Sequence, residues 1–183
     1  MSPFFTRGGD NGTTGLLGNE RIDKSELKID VLGSLDEVSA AIGLARSINS
    51  EDVNNLLKSI QVQLYEIMAE IAATDENVER FSKTDENTVT LMEQQIEDYG
   101  KKVSMPTTFI LPGDNPASAA LSVARTTVRR AERRLVALSQ IQQNIRKPLL
   151  MYINRLSSLL YMLEIFTVQN EQNTTLSLVK KVK

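Results

Sequence analysis

Beyond residue 23 the apolar residues of this chain recur at helical spacing, and proline and glycine fall mostly in the gaps between the periodic stretches. The spacing predicts a helix over 28–47 with Leu35, Val38, Ile42 and Ala45 inward. A second covers 52–74, with Leu56, Leu57, Ile60, Leu64, Ile67 and Ile71 as its stripe. A third, opened by the Thr84-Asp-Glu start signal, carries Val89, Met92, Ile96 and Tyr99 and ends near Gly100. Residues 104–114 read as a connector. The fourth helix begins with Asn115 as N-cap and Pro116 in its first turn; the fifth runs from Pro148 to about Gln169. Five helices with short connections predict an all-α, antiparallel five-helix bundle. No stretch alternates in the way a sheet requires, and no heptad run reaches coiled-coil length.

The ends read differently. Residues 1–23 hold five of the nine glycines, Gly8, Gly9, Gly12, Gly15 and Gly18, mixed with Thr6, Thr13 and Thr14, which is loop composition. The polar tail 170–183 reads as a frayed end. With 183 residues the chain suits one domain of 1–183: loop 1–23, helical bundle 24–169 and tail.

Arg125, Arg129 and Arg133 are spaced four apart in Ala124-Arg-Thr-Thr-Val-Arg-Arg-Ala-Glu-Arg-Arg134, so on a helix they form one ridge roughly 12 Å long. Planar, permanently charged guanidiniums match phosphate oxygens, and a ridge of three suits a di- or triphosphate. A row of arginines is otherwise a solvated face. Arg130 and Arg134 add charge beside it, however, and only Glu132 within the segment offsets any, which points to an anion there.

The overall balance of 21 basic against 23 acidic side chains argues against a protein that coats nucleic acid. The absence of cysteine and histidine removes a thiolate nucleophile, an imidazole base and the usual zinc ligand sets, leaving oxygen ligands for any hard cation. The apolar runs fall short of a membrane span and the N-terminal end lacks an apolar signal core, so a cytoplasmic location is expected.

The segment Thr6-Arg-Gly-Gly-Asp-Asn-Gly-Thr-Thr-Gly15 has the ingredients of an anion cradle, although it lacks the order of a Walker loop; taken alone it reads as a floppy terminus. In the fifth helix Asn154, Arg155, Ser157 and Ser158 interrupt an otherwise apolar sequence, a polar notch that needs either a neighbouring helix or a ligand. Asp36 and Glu37 flank Leu35 and Val38, which predicts one carboxylate near the core paired with an arginine of another helix. Lys24, just after the loop, reads as an ordinary surface lysine or as a mobile charge for a phosphate.

Taken together, these segments resemble the PduO-type ATP:cob(I)alamin adenosyltransferases. The resemblance is carried, in family order, by Thr6-Arg-Gly-Gly-Asp-Asn-Gly-Thr-Thr, Val31-Leu-Gly-Ser-Leu-Asp-Glu-Val-Ser-Ala-Ala-Ile-Gly43, Phe109-Ile-Leu-Pro-Gly, Ala124 to Arg134, and Ile153-Asn-Arg-Leu-Ser157. It implies a homotrimer with active sites between subunits, and transfer of the 5′-deoxyadenosyl group of ATP to the Co(I) centre of reduced cobalamin. A corrinoid as the nucleophile accounts for the missing histidine and cysteine. The resemblance implies ATP contacts from Thr6, Arg7, Gly8, Gly9, Thr14, Gly15, Lys24, Arg129, Arg130, Glu132, Arg133 and Asn154, with Arg129, Arg133 and Glu132 as the catalytic group. Mg²⁺ would be held mainly through ATP phosphates. Phe109 would line the corrinoid, and Arg125 would pair with Asp36, which makes the first arginine of the ridge architectural. A cobalamin reductase and an adenosylcobalamin-dependent enzyme are the implied partners.

Three positions depart from the family pattern. Asn11 stands where a lysine is common, Asp114 where Leu-Pro-Gly continues with glycine, and Ser158 where an aspartate often follows Asn-Arg-Leu-Ser. None touches the arginines, so they bear on affinity and corrinoid preference. Two rival readings are a non-catalytic nucleotide sensor, which would have no use for Phe109, and an RNA-binding scaffold, which would need aromatic stacking residues near the ridge.

Overall fold

The computed structural model describes residues 4–5, 7–142, 144–172 and 174–179. Among them a two-stranded sheet, β1 (Thr13–Gly15) and β2 (Arg21–Asp23), precedes α1 (Leu27–Ser47), α2 (Glu51–Ala72), the single turn α3 (Val78–Phe81), α4 (Glu86–Gly100), α5 (Pro116–Ile141) and α6 (Lys147–Gln169). Five long helices thus alternate in direction along the chain. α6 packs against both α4 and α5, while α1 packs against α2 and α5.

Helix starts follow local chemistry. Asn115 Oδ1 accepts from Ser118 N at 2.7 Å while Ser118 Oγ accepts from Asn115 N at 3.3 Å, and Pro116 occupies the first turn, where its missing N–H costs nothing. Asp85 caps α4 in the same reciprocal way with Thr88, at 2.8 and 3.4 Å. These bonds hold the Asp85 carboxyl below its ordinary value. Thr84, expected to contribute to that start, is instead fully buried, with its hydroxyl accepting from Gln63 Nε2 at 3.1 Å.

The predicted inward faces form the core. Leu35, Val38, Ile42 and Ala45 of α1 and Leu57, Ile60, Leu64, Ile67 and Ile71 of α2 are buried together with Val128, Leu135, Ile153 and Leu160, whereas Leu56 and Ile96 lie half-buried at its margin. Each full aliphatic burial is worth about 1.5–3 kcal/mol relative to exposure, which is why the 3.6-residue period decides the packing.

Four expectations are corrected. The chain contains strands after all: Thr13–Gly15 pairs antiparallel with Arg21–Asp23, a hairpin too short for alternation to register in the sequence. The single turn α3 lies in a stretch that the apolar spacing leaves without a helix. The tail does not fray throughout: Val179 N donates to Phe109 O at 2.8 Å and Leu111 N to Ser177 O at 2.7 Å, so it pairs with the connector. Finally, α6 is long and apolar enough to cross a membrane by composition alone, but eleven of its residues are buried inside the bundle.

The N-terminal loop is anchored to the hairpin end of the bundle. Leu17 N donates to Ala72 O at 2.8 Å and Thr74 N to Leu17 O at 3.4 Å. Gly18 lies so close to Thr74 that a Cβ at this position would sit 2.5 Å from its side chain, which explains the glycine. Gly12, at φ 80, makes the turn that lets Lys24 N donate to Gly12 O at 2.8 Å.

Candidate functional site

α5 runs between α1 and α6, and this placement sorts its arginines. Arg130 turns toward α1 and bonds Glu37; Arg134 bonds Asp30 Oδ2 at 2.8 Å and also reaches Ser34 Oγ. Both guanidiniums therefore clamp α5 to α1. Arg125 turns toward α6, where its Nε lies 3.4 Å from Glu164 Oε2 and its guanidinium covers the Tyr161 ring. Arg129 and Arg133 remain on the outer face, and Arg133 Nη1 donates to Arg129 O at 3.0 Å. No side-chain partner of Arg129 is found among the described residues.

Within the segment only Glu132 is acidic, but Glu37 and Asp30 of α1 and Glu164 of α6 pair with three of its five arginines. Arg130, an expected phosphate ligand, has its guanidinium engaged by Glu37. Asp36 and Glu37 are both exposed, so neither supplies the carboxylate expected near the core. Within one chain Arg125 meets Glu164 and not Asp36.

On the α6 side, Glu132 Oε1 accepts from Asn154 Nδ2 at 2.7 Å. Asn154 Oδ1 in turn accepts from Arg155 Nη1 at 2.8 Å, and Arg155 Nε donates to Glu93 Oε1 at 2.8 Å. In the polar notch of the fifth helix Asn154 and Arg155 thus bond neighbouring helices, Ser157 Oγ donates to Asn154 O of its own helix at 2.9 Å, and Asn154 lies exposed beside the arginine face.

Thr6 lies outside the described residues. Arg7 adopts φ 58, the left-handed region rarely used outside glycine, and its guanidinium lies over the Phe5 ring. Arg21, which sequence reasoning missed, holds the loop closed: its Nη2 donates to Gly8 O at 2.5 Å and Thr13 Oγ1 at 3.0 Å. Lys24 Nζ donates to Gly9 O at 2.9 Å, so both cations fold the loop onto the hairpin. Thr14 and Gly15 lie in β1. No sequence pattern marked Arg21, because β2 is three residues long with Ile22 alone turned inward.

Phe109 is 85% exposed at the edge of an open hollow of about 440 Å³ lined by Pro106, Thr107, Thr108, Tyr161 and Val179. Asp114, one of the departing residues, explains itself here: its Oδ2 accepts from Ser177 N at 2.9 Å and ties the tail to the connector that carries Phe109. Beneath lies Glu164, 1% exposed; burial raises its carboxyl above the ordinary 4.5, against the opposing pull of Ser122 and Arg125. A single carboxylate in the apolar run of α6 was the overlooked sign of this group. No group of three or more acidic side chains suited to a metal gathers among the described residues.

Comparison with known proteins joins these features. A family model for cobalamin adenosyltransferase matches residues 4–167. The corrinoid adenosyltransferase PduO of Salmonella typhimurium is 40% identical over 164 residues, 87% of this chain; the chain spans about half (48%) of that protein's length. A corrinoid adenosyltransferase of Citrobacter freundii is 35% identical over 88% of this chain and 92% of its own length. A variant of the PduO-type ATP:corrinoid adenosyltransferase from Lactobacillus reuteri, complexed with cobalamin and ATP, superposes with a TM-score of 0.87 at 30% identity, covering 97% of this chain and 99% of that one. The helix order, the arginine-bearing α5 and the match along nearly all of the bundle lead to one conclusion: the chain belongs to the cobalamin adenosyltransferase family.

Proposed function

We propose that the chain transfers the 5′-deoxyadenosyl group of ATP to the Co(I) centre of reduced cobalamin, giving adenosylcobalamin and triphosphate. The observation that carries this reading is the pair Arg129 and Arg133, the two arginines of α5 left on the outer face after Glu37, Asp30 and Glu164 have engaged the others, beside the oriented Glu132 and Asn154. In the reaction the cobalt electron pair forms the Co–C5′ bond as the C5′–O bond breaks, and the electrons of that bond leave with triphosphate. The protein then needs no general base, in keeping with a chain without histidine or cysteine. It needs fixed positive charge where the leaving group gathers negative charge, the role of Arg129 and Arg133. The loop from Arg7 to Gly15, folded by Arg21 and Lys24, would cover the nucleotide, with Gly8 and Gly9 letting backbone approach the phosphates.

Mg²⁺ fits the oxygen donors present when ATP itself supplies most of them, since Glu132 is the carboxylate on the arginine face and no acidic cluster competes for the ion among the described residues. Bound there, the ion would neutralise phosphate charge.

The hollow beside Phe109 suits one edge of a corrinoid and is too small for the whole molecule, which fits a site completed by a neighbouring copy in a homotrimer. Exposed Leu44, Val62 and Tyr65 leave apolar surface for such contacts, and exposed Asp36 would meet Arg125 of the next copy. The chain then works as a single cytoplasmic domain, receiving reduced corrinoid from a reductase and delivering product to an adenosylcobalamin-dependent enzyme.

The test is anaerobic spectroscopy of purified protein with ATP, Mg²⁺ and chemically reduced cob(I)alamin, against an Arg129→Ala control. Loss of the Co(I) band with growth of an alkylcobalamin spectrum, dependent on Arg129, is the expected result. ATP binding with an unchanging corrinoid spectrum would instead make the chain a nucleotide sensor.

A further inference from the structure

Asn154 has a side chain whose two ends are nearly the same shape, so its contacts decide which end faces the site. Flipped by a half-turn, the amide would press its NH₂ against the Arg155 guanidinium, donor against donor, and its oxygen against the Glu132 carboxylate, acceptor against acceptor. In the orientation seen, both mismatches vanish: Arg155 Nη1 reaches the oxygen at 2.8 Å and Nδ2 reaches Glu132 at 2.7 Å. Arg155 can present that nitrogen because Glu93 Oε1 accepts from its Nε at 2.8 Å.

We propose that Arg155, held by Glu93 of α4, is a positioning residue that locks the Asn154 amide so that Asn154 and Glu132 meet the nucleotide in one fixed arrangement; this rests on the adenosyl-transfer reading above. The relay joins three helices. Glu93 stands on α4, Arg155 and Asn154 on α6, and Glu132 on α5, so α4 contributes to the site without touching its ligands. Its members suit this task better than a stabilising one. The Arg155 and Glu93 side chains are 36% and 43% exposed, and an ion pair so solvated adds little to fold stability. A fixed charge-assisted bond to a neutral amide nevertheless fixes direction, because a guanidinium only donates.

The experiment measures ATP KM, kcat and Tm for Arg155→Leu, Glu93→Gln, Asn154→Ala and the double variant Asn154→Ala/Arg155→Leu. Arg155→Leu is expected to raise ATP KM about tenfold, the worth of one charge-assisted hydrogen bond, with Tm close to that of the parent. Glu93→Gln moves KM in the same direction by less. In the Asn154→Ala background Arg155→Leu adds nothing, because no amide remains to orient. Two results overturn the inference alone: Asn154→Ala impaired while Arg155→Leu matches the parent, or single effects that multiply in the double variant. Parent-like kinetics in Asn154→Ala would remove Asn154 from the site and overturn the functional assignment of these residues with it. A fall in Tm without any change in KM would make the relay merely structural. The Glu93→Gln variant, which leaves the site residues untouched, keeps the inference testable if Arg155→Leu folds poorly.

Discussion

Arg146 meets Glu70 with two prongs of its guanidinium, Nε to Oε1 at 2.6 Å and Nη2 to Oε2 at 2.7 Å, and the same Nη2 reaches Thr84 O at 2.8 Å. This contact joins the start of α6 to the end of α2 and to the segment before α4, closing the hairpin end of the bundle. Glu70 is buried, and its bond raises the pKa of Arg146 above its ordinary value, so the guanidinium stays charged. Arg146→Ala strands a buried carboxylate and should cost ~2–3 kcal/mol, below the full penalty for a deeply buried pair because Arg146 is partly exposed. Urea unfolding with unchanged slope would measure it.

Gly18 presses against Thr74 at the point where the N-terminal loop meets α2. Gly18→Val should push the hairpin away and raise ATP KM about tenfold, equivalent to ~1.4 kcal/mol, while the helical core keeps its Tm within a few degrees. Restoring the ATP KM by shrinking the neighbour, in Gly18→Val/Thr74→Ala, would identify the collision as the cause.

Asp114→Gly removes the acceptor for Ser177 N. Amide exchange at Ser177 and Val179 should quicken about tenfold or more as the tail separates from the Phe109 connector. The corrinoid KM should rise while the ATP KM stays unchanged. Unaltered exchange at both amides would show that Asp114 does not hold the tail.

Glu164 supplies the pH dependence. Its carboxyl is raised in the folded chain by burial, so the native state binds its proton more tightly than the unfolded state does. Its contribution to stability is therefore fully present below the ordinary value of 4.5 and is lost as pH rises from there through the raised folded value. Glu164→Gln has no proton to lose. Its Tm relative to the parent should climb across this window and level off above it, which thermal scans from pH 4 to 8 would follow; a pH-independent difference would contradict the assignment.

The sequence was legible where structure is local. The period of Leu35, Val38 and Ile42 placed α1, and Asn115 with Pro116 announced the start of α5, because both signals act within a turn or two of the chain. The hairpin escaped because three-residue strands offer one inward side chain, Ile22, and no pattern. The family blocks likewise marked the N-terminal loop, Phe109 and the arginine helix.

What the sequence by itself determined is which residues share a helix face and that α5 carries five guanidiniums within ten residues. Only the tertiary structure decided which of them were engaged. Arg130 finds Glu37 across 93 positions, Arg134 finds Ser34 across 100, and within the chain Arg125 turns to a carboxylate buried in α6. The physical reason is that helical spacing fixes the direction of a side chain relative to its own axis, whereas the identity of its partner depends on which helix packs alongside and at what height. Leaving Arg129 and Arg133 on the outer face is a consequence of that packing.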